Sequence, residues 1–253
     1  MSAERLIAHR GHASQCPENT LSAVESALHA GARAVEIDVQ LSADREPFLM
    51  HDRTLERMCG VASPLGALNG VQVRELRASE RGRFGERFSG ERVASLAEFT
   101  ARIGRAKDVH AYVELKRVSI EQFGVDEVLD AVLPLLLPIR QRCTLISFDV
   151  GVLRAARSRT DLPVGPVLIA WEQRTSAEIV ALAPSVVFCD VEKLPPEGGA
   201  TGGLDVPGGA LAVYEIDRLD VALSLLRRGA RFLETFDVGR LLRELAEHGQ
   251  RAR

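Results

Sequence analysis

The sequence predicts an α/β fold, a single (β/α)8 barrel of the TIM type with an insertion after its second strand. Three observations predict it. Short β-rich runs alternate with amphipathic helical patterns almost throughout the chain, which is the signature of parallel βα units. The strand candidates number eight, and a length of 253 residues suits one barrel domain spanning 1–253. The rival architecture, an open doubly wound sheet, lacks support because no G-x-G-x-x-G follows the first strand.

Taken in order, the strand candidates are Leu6–Ala8, Ala34–Gln40, Val109–Leu115, Thr144–Ser147, Val164–Ile169, Ser185–Cys189, Ala210–Tyr214 and Phe232–Thr235. After Pro17-Glu18-Asn19-Thr20, the residues Leu21, Val24 and Leu28 keep one apolar stripe and Gly31 stops it. Val125, Val128, Leu129, Val132, Leu133 and Leu136 form a second stripe, with Pro138 as its end. Further helices are expected near Ser95–Ile103, Val150–Ser158, Thr175–Ala183, Arg218–Arg228 and Val238–His248.

Glu46–Asp52 also reads as strand, but only Leu41–Arg45 separates it from the preceding one. A parallel crossover needs a dozen or more residues, so this segment turns back at the barrel mouth as an antiparallel partner or a loop. The insertion then runs from about 42 to 93, and its Gly-, Arg- and Glu-rich second half predicts an irregular excursion. Pro195–Gly209 carries three Pro and six Gly where a sixth helix belongs. That density forbids a stable helix, and a loop is expected instead.

Composition excludes several function classes. Lys+Arg 32 against Asp+Glu 35 leaves a net charge of −3, which argues against general attraction to nucleic acid or anionic lipid. No run approaches the ~18 apolar residues of a membrane span. Met1–Arg5 leads directly into Leu6-Ile7-Ala8 without a signal-peptide pattern, so a cytoplasmic location is expected. Cys16, Cys59, Cys143 and Cys189 are far apart and form no C-x-x-C. They read as free, mostly buried thiols rather than a zinc site or disulfide framework.

In Ala34-Val35-Glu36-Ile37-Asp38-Val39-Gln40-Leu41, polar and apolar residues alternate. Period two puts Glu36, Asp38 and Gln40 on one face. The apolar face must meet the helices, so both carboxylates point into the barrel. Val109–Lys116 repeats the pattern and turns Glu114 and Lys116 inward at the strand's C-terminal end, where barrel enzymes hold their sites. Three inward carboxylates around one mouth describe a site for one hard divalent cation, Ca²⁺ or Mg²⁺; a structural ion-pair cluster is the alternative. His9-Arg10-Gly11 closes the first strand and His51-Asp52 closes the add-on segment. Both histidines stand at strand exits beside the carboxylates and suit proton transfer near neutral pH. Arg10 and Lys116 supply the fork and point charge that hold a phosphate. His12, His29, His110 and His248 have no such setting and read as surface or structural.

Five segments now stand in register: His9-Arg10-Gly11, Pro17-Glu18-Asn19-Thr20, Glu36-Ile37-Asp38-Val39, His51-Asp52-Arg53-Thr54-Leu55 and Val113-Glu114-Leu115-Lys116. Together they resemble the glycerophosphodiester phosphodiesterase family, with looser matches at Ser147-Phe148-Asp149 and Arg231–Asp237. The resemblance implies a barrel with an insertion after strand two and metal-dependent hydrolysis of small-molecule glycerophosphodiesters to glycerol 3-phosphate and an alcohol. It implies Glu36, Asp38 and Glu114 as metal ligands, His9 and His51 as general base and acid, and Arg10 and Lys116 as phosphate contacts.

This chain departs from the family where a tryptophan-containing stretch ending in Val-Asn is usual: here Tyr214 and Glu215 stand in Ala212–Asp217. Tyr214, at the end of a barrel strand, is expected to pack against the glycerol or alcohol portion. Glu215 would favour a cationic alcohol group. Two other readings are a related barrel lyase releasing a cyclic phosphate, resembling phosphatidylinositol phospholipase C or sphingomyelinase D, and a non-catalytic phosphodiester-binding barrel. The presence of both histidines counts against the second. Oligomeric state is not legible.

Overall fold

In a computed structural model, residues 3–197 and 203–251 are described. Among them, the strands β1 (Leu6–Ala8), β2 (Ala34–Leu41), β3 (Pro47–Leu49), β4 (His110–Leu115), β5 (Cys143–Ser147), β6 (Val164–Leu168), β7 (Val186–Asp190), β8 (Ala210–Tyr214) and β9 (Phe232–Thr235) form one sheet. Its order is β1-β9-β8-β7-β6-β5-β4-β2-β3, and β1 also pairs with β2. That last pairing closes eight parallel strands into a barrel. β3 alone runs antiparallel, with Gln40 opposite Phe48, as the short connection required.

The helices α1 (Leu21–His29), α5 (Leu96–Arg105), α7 (Val125–Leu136), α8 (Val150–Arg157), α9 (Ala177–Ala181), α10 (Leu219–Arg228) and α11 (Val238–Arg251) follow the barrel strands, and α2 (Glu56–Cys59), α3 (Gly70–Glu75), α4 (Arg81–Phe84) and α6 (Arg117–Phe123) complete the set. Their starts are written locally. Thr20 caps α1 by accepting from the Ala23 amide, Ser95 and Glu98 form a capping box on α5, and Asp149 caps α8. α7 ends at Leu136 and tightens into a 3₁₀ turn over Leu137–Arg142, which contains Pro138.

Two layers of core result. The outward strand faces and the helices bury Val35, Ile37, Val39, Val113, Leu145 and Leu233, among others. Inside the barrel, Ile7, Ala34, Tyr112, Ile146, Val167, Phe188 and Ala212 fill the lower levels. The insertion has its own small core around Phe48, Met50, Leu55, Met58, Leu65 and Val73.

The insertion is more regular than expected, since α2, α3 and α4 lie within it. Helices of four to six residues span too few positions to show a period. α6 escaped the sequence reading for the same reason, burying only Ser119 and Ile120. Between β7 and β8, a single 3₁₀ turn at Val191–Lys193 is the helical structure among the described residues. The loop expected over Pro195–Gly209 is seen for 195–197 and 203–209, while 198–202 lie outside the described residues. The four cysteines are free thiols, three of them buried.

Candidate active site at the barrel mouth

A cavity of about 440 Å³ opens at the C-terminal ends of the strands, lined by His9, Arg10, Glu36, His51, Glu114 and Lys116. Each side chain is placed by a local rule. His9 and Arg10 leave β1 in a turn where Arg10 (φ 54) and Gly11 (φ 81) are left-handed. A Cβ on Gly11 would stand 2.6 Å from the Ala23 carbonyl carbon, so only glycine lets this turn lie against α1. His9 stacks on Phe236 at 4.7 Å between ring centroids.

On β2 the alternation holds: Val35, Ile37 and Val39 join the outer core while Glu36, Asp38 and Gln40 are buried inside. The Gln40 amide donates to the carbonyls of Met50, His51 and Asp52, which fixes the turn bearing His51. His51 Nδ1 hydrogen-bonds Asp52 Oδ1 at 2.9 Å. Asp52 accepts from Arg57 at 2.7 and 3.0 Å, and Arg57 also donates to Glu18 and Glu80. With Nδ1 engaged, the other ring nitrogen of His51 is left for a reacting group.

The buried charges are partly paired. Lys116 Nζ stands 3.0 Å from Asp38 and 2.9 Å from Glu114, and Arg10 contacts Asp38 at 3.2 Å and Glu18 at 3.0 Å. Asn19 donates to Asp38 Oδ2 and accepts from its amide. Burial opposes ionisation of Asp38, but Lys116 and Arg10 hold its carboxyl far below the usual range. Glu36 goes the other way: burial first, then the charges of Asp38, Glu234 and Glu114, push it well up. Burial, then Arg10, pushes His9 well below the ordinary imidazole value, which disfavours its protonated form.

One oxygen from each of Glu36, Asp38 and Glu114 can lie within 4.8 Å of the other two, and Glu36 Oε1 is buried with no hydrogen-bond partner. An all-carboxylate set with an unmet acceptor fits a hard divalent cation. Three inward carboxylates therefore meet where the sequence put them, along with both histidines, Arg10 and Lys116. Tyr214 also lines the cavity, half-buried. Glu215 turns toward His9, its Oε1 3.6 Å from Nδ1, and burial raises its carboxyl.

The sequence profile of the glycerophosphoryl diester phosphodiesterase family matches residues 9–198. The chain belongs to that family. Among its relatives, a glycerophosphodiester phosphodiesterase of Caldanaerobacter subterraneus subsp. tengcongensis is 35% identical over 125 residues, 49% of this chain and 50% of that protein. Glycerophosphodiester phosphodiesterase 1 of Rattus norvegicus is 40% identical over 92 residues, 36% of this chain and 28% of that one. The match thus spans half or less of these relatives' length. In fold, a structure described as a putative glycerophosphoryl diester phosphodiesterase from Silicibacter pomeroyi superposes with a TM-score of 0.82 at 23% identity, over 97% of this chain and 94% of that one. An Oleispira antarctica phosphodiesterase, solved with the product sn-glycerol-3-phosphate, superposes with a TM-score of 0.81 at 22% identity, over 96% of each chain. These phosphodiesterase-family barrels carry the same architecture.

Sequence reasoning missed two residues at the mouth. Glu234 points inward from β9, 2% exposed, and the rule applied to β2 would have found it: Phe232 and Glu234 alternate with Leu233. Arg57, which holds Asp52, lies in the insertion, where no period exposes its role. His12 was read as structural, and it ties Ser26 to Asp237.

Proposed function

We propose that this chain hydrolyses glycerophosphodiesters to glycerol 3-phosphate and an alcohol at the barrel mouth, with one divalent cation held by Glu36, Asp38 and Glu114. The observation that carries the reading is the convergence of His9, His51, Arg10, Lys116 and the carboxylates on one cavity. The cation would supply Lewis-acid stabilisation of the phosphoryl oxygens. Arg10 and Lys116 offset charge on the same oxygens, which otherwise repels a nucleophile. His9, stacked on Phe236, takes the proton from the nucleophile. His51, oriented through Nδ1 by Asp52, donates a proton to the leaving alkoxide. Each transfer is worth roughly 10²–10⁴ in rate.

Tyr214 and Glu215 border the space for the alcohol, with Phe148 and Asp190. We read this as a site that favours a cationic alcohol group. Among the described residues, Ile169 is the one large exposed apolar side chain at the mouth, which supports a water-soluble diester over a lipid surface. No helix among them is long and apolar enough to cross a membrane. The test is product analysis on a panel of glycerophosphodiesters, with and without chelator. Release of glycerol 3-phosphate that stops in chelator is expected; accumulation of a cyclic phosphate, or no turnover on any member, would sink the reading.

A further inference from the structure

Glu234 has no part in the steps above. It stands in register with Ile7, one inward position below His9, and Ile7 belongs to the apolar cluster inside the barrel with Ala34, Tyr112 and Ile146. A carboxylate there is costly unless a partner meets it. Yet Glu234 Oε1 and Glu36 Oε1 are buried without hydrogen bonds, His9 turns Nε2 toward Glu36 and Nδ1 toward Glu215, and His9, Glu36 and Glu234 are 7%, 2% and 2% exposed. One ligand atom from each lies within 4.8 Å of the other two.

We propose that His9, Glu36 and Glu234 form a second cation subsite, selective for a transition-metal ion such as Zn²⁺, and that its occupancy inhibits the enzyme. The inference rests on the reading of His9 as base. Tetrahedral zinc at ligand distances near 2.1 Å spaces its ligands about 3.4 Å apart, and His9 Nε2 already stands 3.8 Å from Glu36 Oε2. One imidazole with two carboxylates suits zinc, whereas the set of Glu36, Asp38 and Glu114 suits Ca²⁺ or Mg²⁺. Glu36 belongs to both sets. A zinc ion held by these three, which all line the mouth cavity, engages His9 through the nitrogen lone pair that would accept the proton, and draws Glu36 from the hard-cation set. The other histidine–carboxylate group among the described residues, Glu18 with His51 and Asp52, is disfavoured because Arg10 and Arg57 already occupy its oxygens.

The test is calorimetric titration of metal-free, full-length protein with Zn²⁺ and separately with Mg²⁺, in the absence of substrate. Zn²⁺ affinity is expected to fall by about 10-fold or more in Glu234→Gln and in His9→Ala, with His51→Ala close to wild type and Mg²⁺ affinity little changed in Glu234→Gln. Zn²⁺ inhibition of hydrolysis should weaken by the same factor in Glu234→Gln. Unchanged Zn²⁺ affinity in Glu234→Gln, or the loss appearing in His51→Ala instead, overturns the subsite. Should Glu234→Gln fail to fold by circular dichroism, retained Zn²⁺ affinity in His9→Ala overturns it alone. A protein that binds zinc in this pattern but hydrolyses no diester would refute the functional reading and leave the subsite standing.

Discussion

The barrel has a cavity at each end, and the larger one is at the end away from His9, His51 and the three carboxylates. The N-terminal cavity, about 650 Å³, is lined by Ala34, His110, Tyr112, Arg142, Thr144 and others at the strand starts. The mouth cavity is about 440 Å³. At the N-terminal end polar groups find partners: His110 Nε2 bonds Thr144 Oγ1 at 2.9 Å, and Arg142 donates to the carbonyls of Ala106 and Val109. At the mouth, His9, Arg10, Glu36 and Glu234 supply four of the five buried side-chain atoms without hydrogen bonds among the described residues. Volume does not distinguish the two ends. Buried polar atoms left without hydrogen bonds do, because a fold keeps them only where something else completes them.

That contrast can be broken at several points. The largest effect is expected from chelation, which should lower hydrolysis by roughly 10³ or more, with recovery on adding Ca²⁺ or Mg²⁺; full turnover in excess chelator would remove the reason for the carboxylates at the mouth. Next, His9→Ala and His51→Ala should each reduce kcat by about 10²–10⁴ with KM little altered. Steady-state kinetics on substrates with very good leaving groups assigns the roles, since such substrates rescue His51→Ala if it is the acid and His9→Ala if the order is reversed. Glu215→Gln should narrow the kcat/KM preference for glycerophosphocholine over an anionic diester by about 5-fold, the worth of one half-exposed charge near ~1 kcal/mol; an unchanged ratio removes Glu215 from selection. Smallest, Thr144→Val at the other end should cost about 1 kcal/mol in denaturant unfolding and leave kcat/KM as in the wild type. A drop in turnover there would mean that the two ends are not separate.

How much of this was legible depended on how far each residue's placement is fixed by its own strand. Period two on β2 and β4 was enough to send Glu36, Asp38, Glu114 and Lys116 inward, and strand ends sufficed for His9 and His51. The connection length between β2 and β3 predicted an antiparallel return without knowledge of the partner. Glu234 was equally legible but lay in a short run, Phe232–Thr235, with a single inward carboxylate that no neighbour on the strand reinforced. Arg57 and Glu80 were not legible, because their partners are 5 to 39 residues away on irregular backbone and no periodicity links such positions. The pairing of Lys116 with Asp38 and Glu114 also depends on three strand ends meeting in space, which spacing along one chain does not encode.

The Arg57 contacts bear on how the barrel and its insertion can be taken apart. Glu18 Oε1 accepts from Arg10 at the mouth and from Arg57 in the insertion, at 3.0 and 2.7 Å. Arg83, also in the insertion, donates to the Ala13 carbonyl in the loop after β1. The joint between scaffold and insertion thus does not fall at the ends of residues 42–93; it passes through the β1–α1 loop. A chimera that grafts another member's insertion onto this barrel must match residues 10–19 to it, or the contacts that Arg57 makes with Glu18 and Arg83 with Ala13 are lost; the turn that bears His51 is held from the barrel by Gln40. The insertion is not transplantable as one segment, since Ser22, Glu121 and Gln122 of the barrel helices also hold Glu91, Arg53 and Gly66 within it.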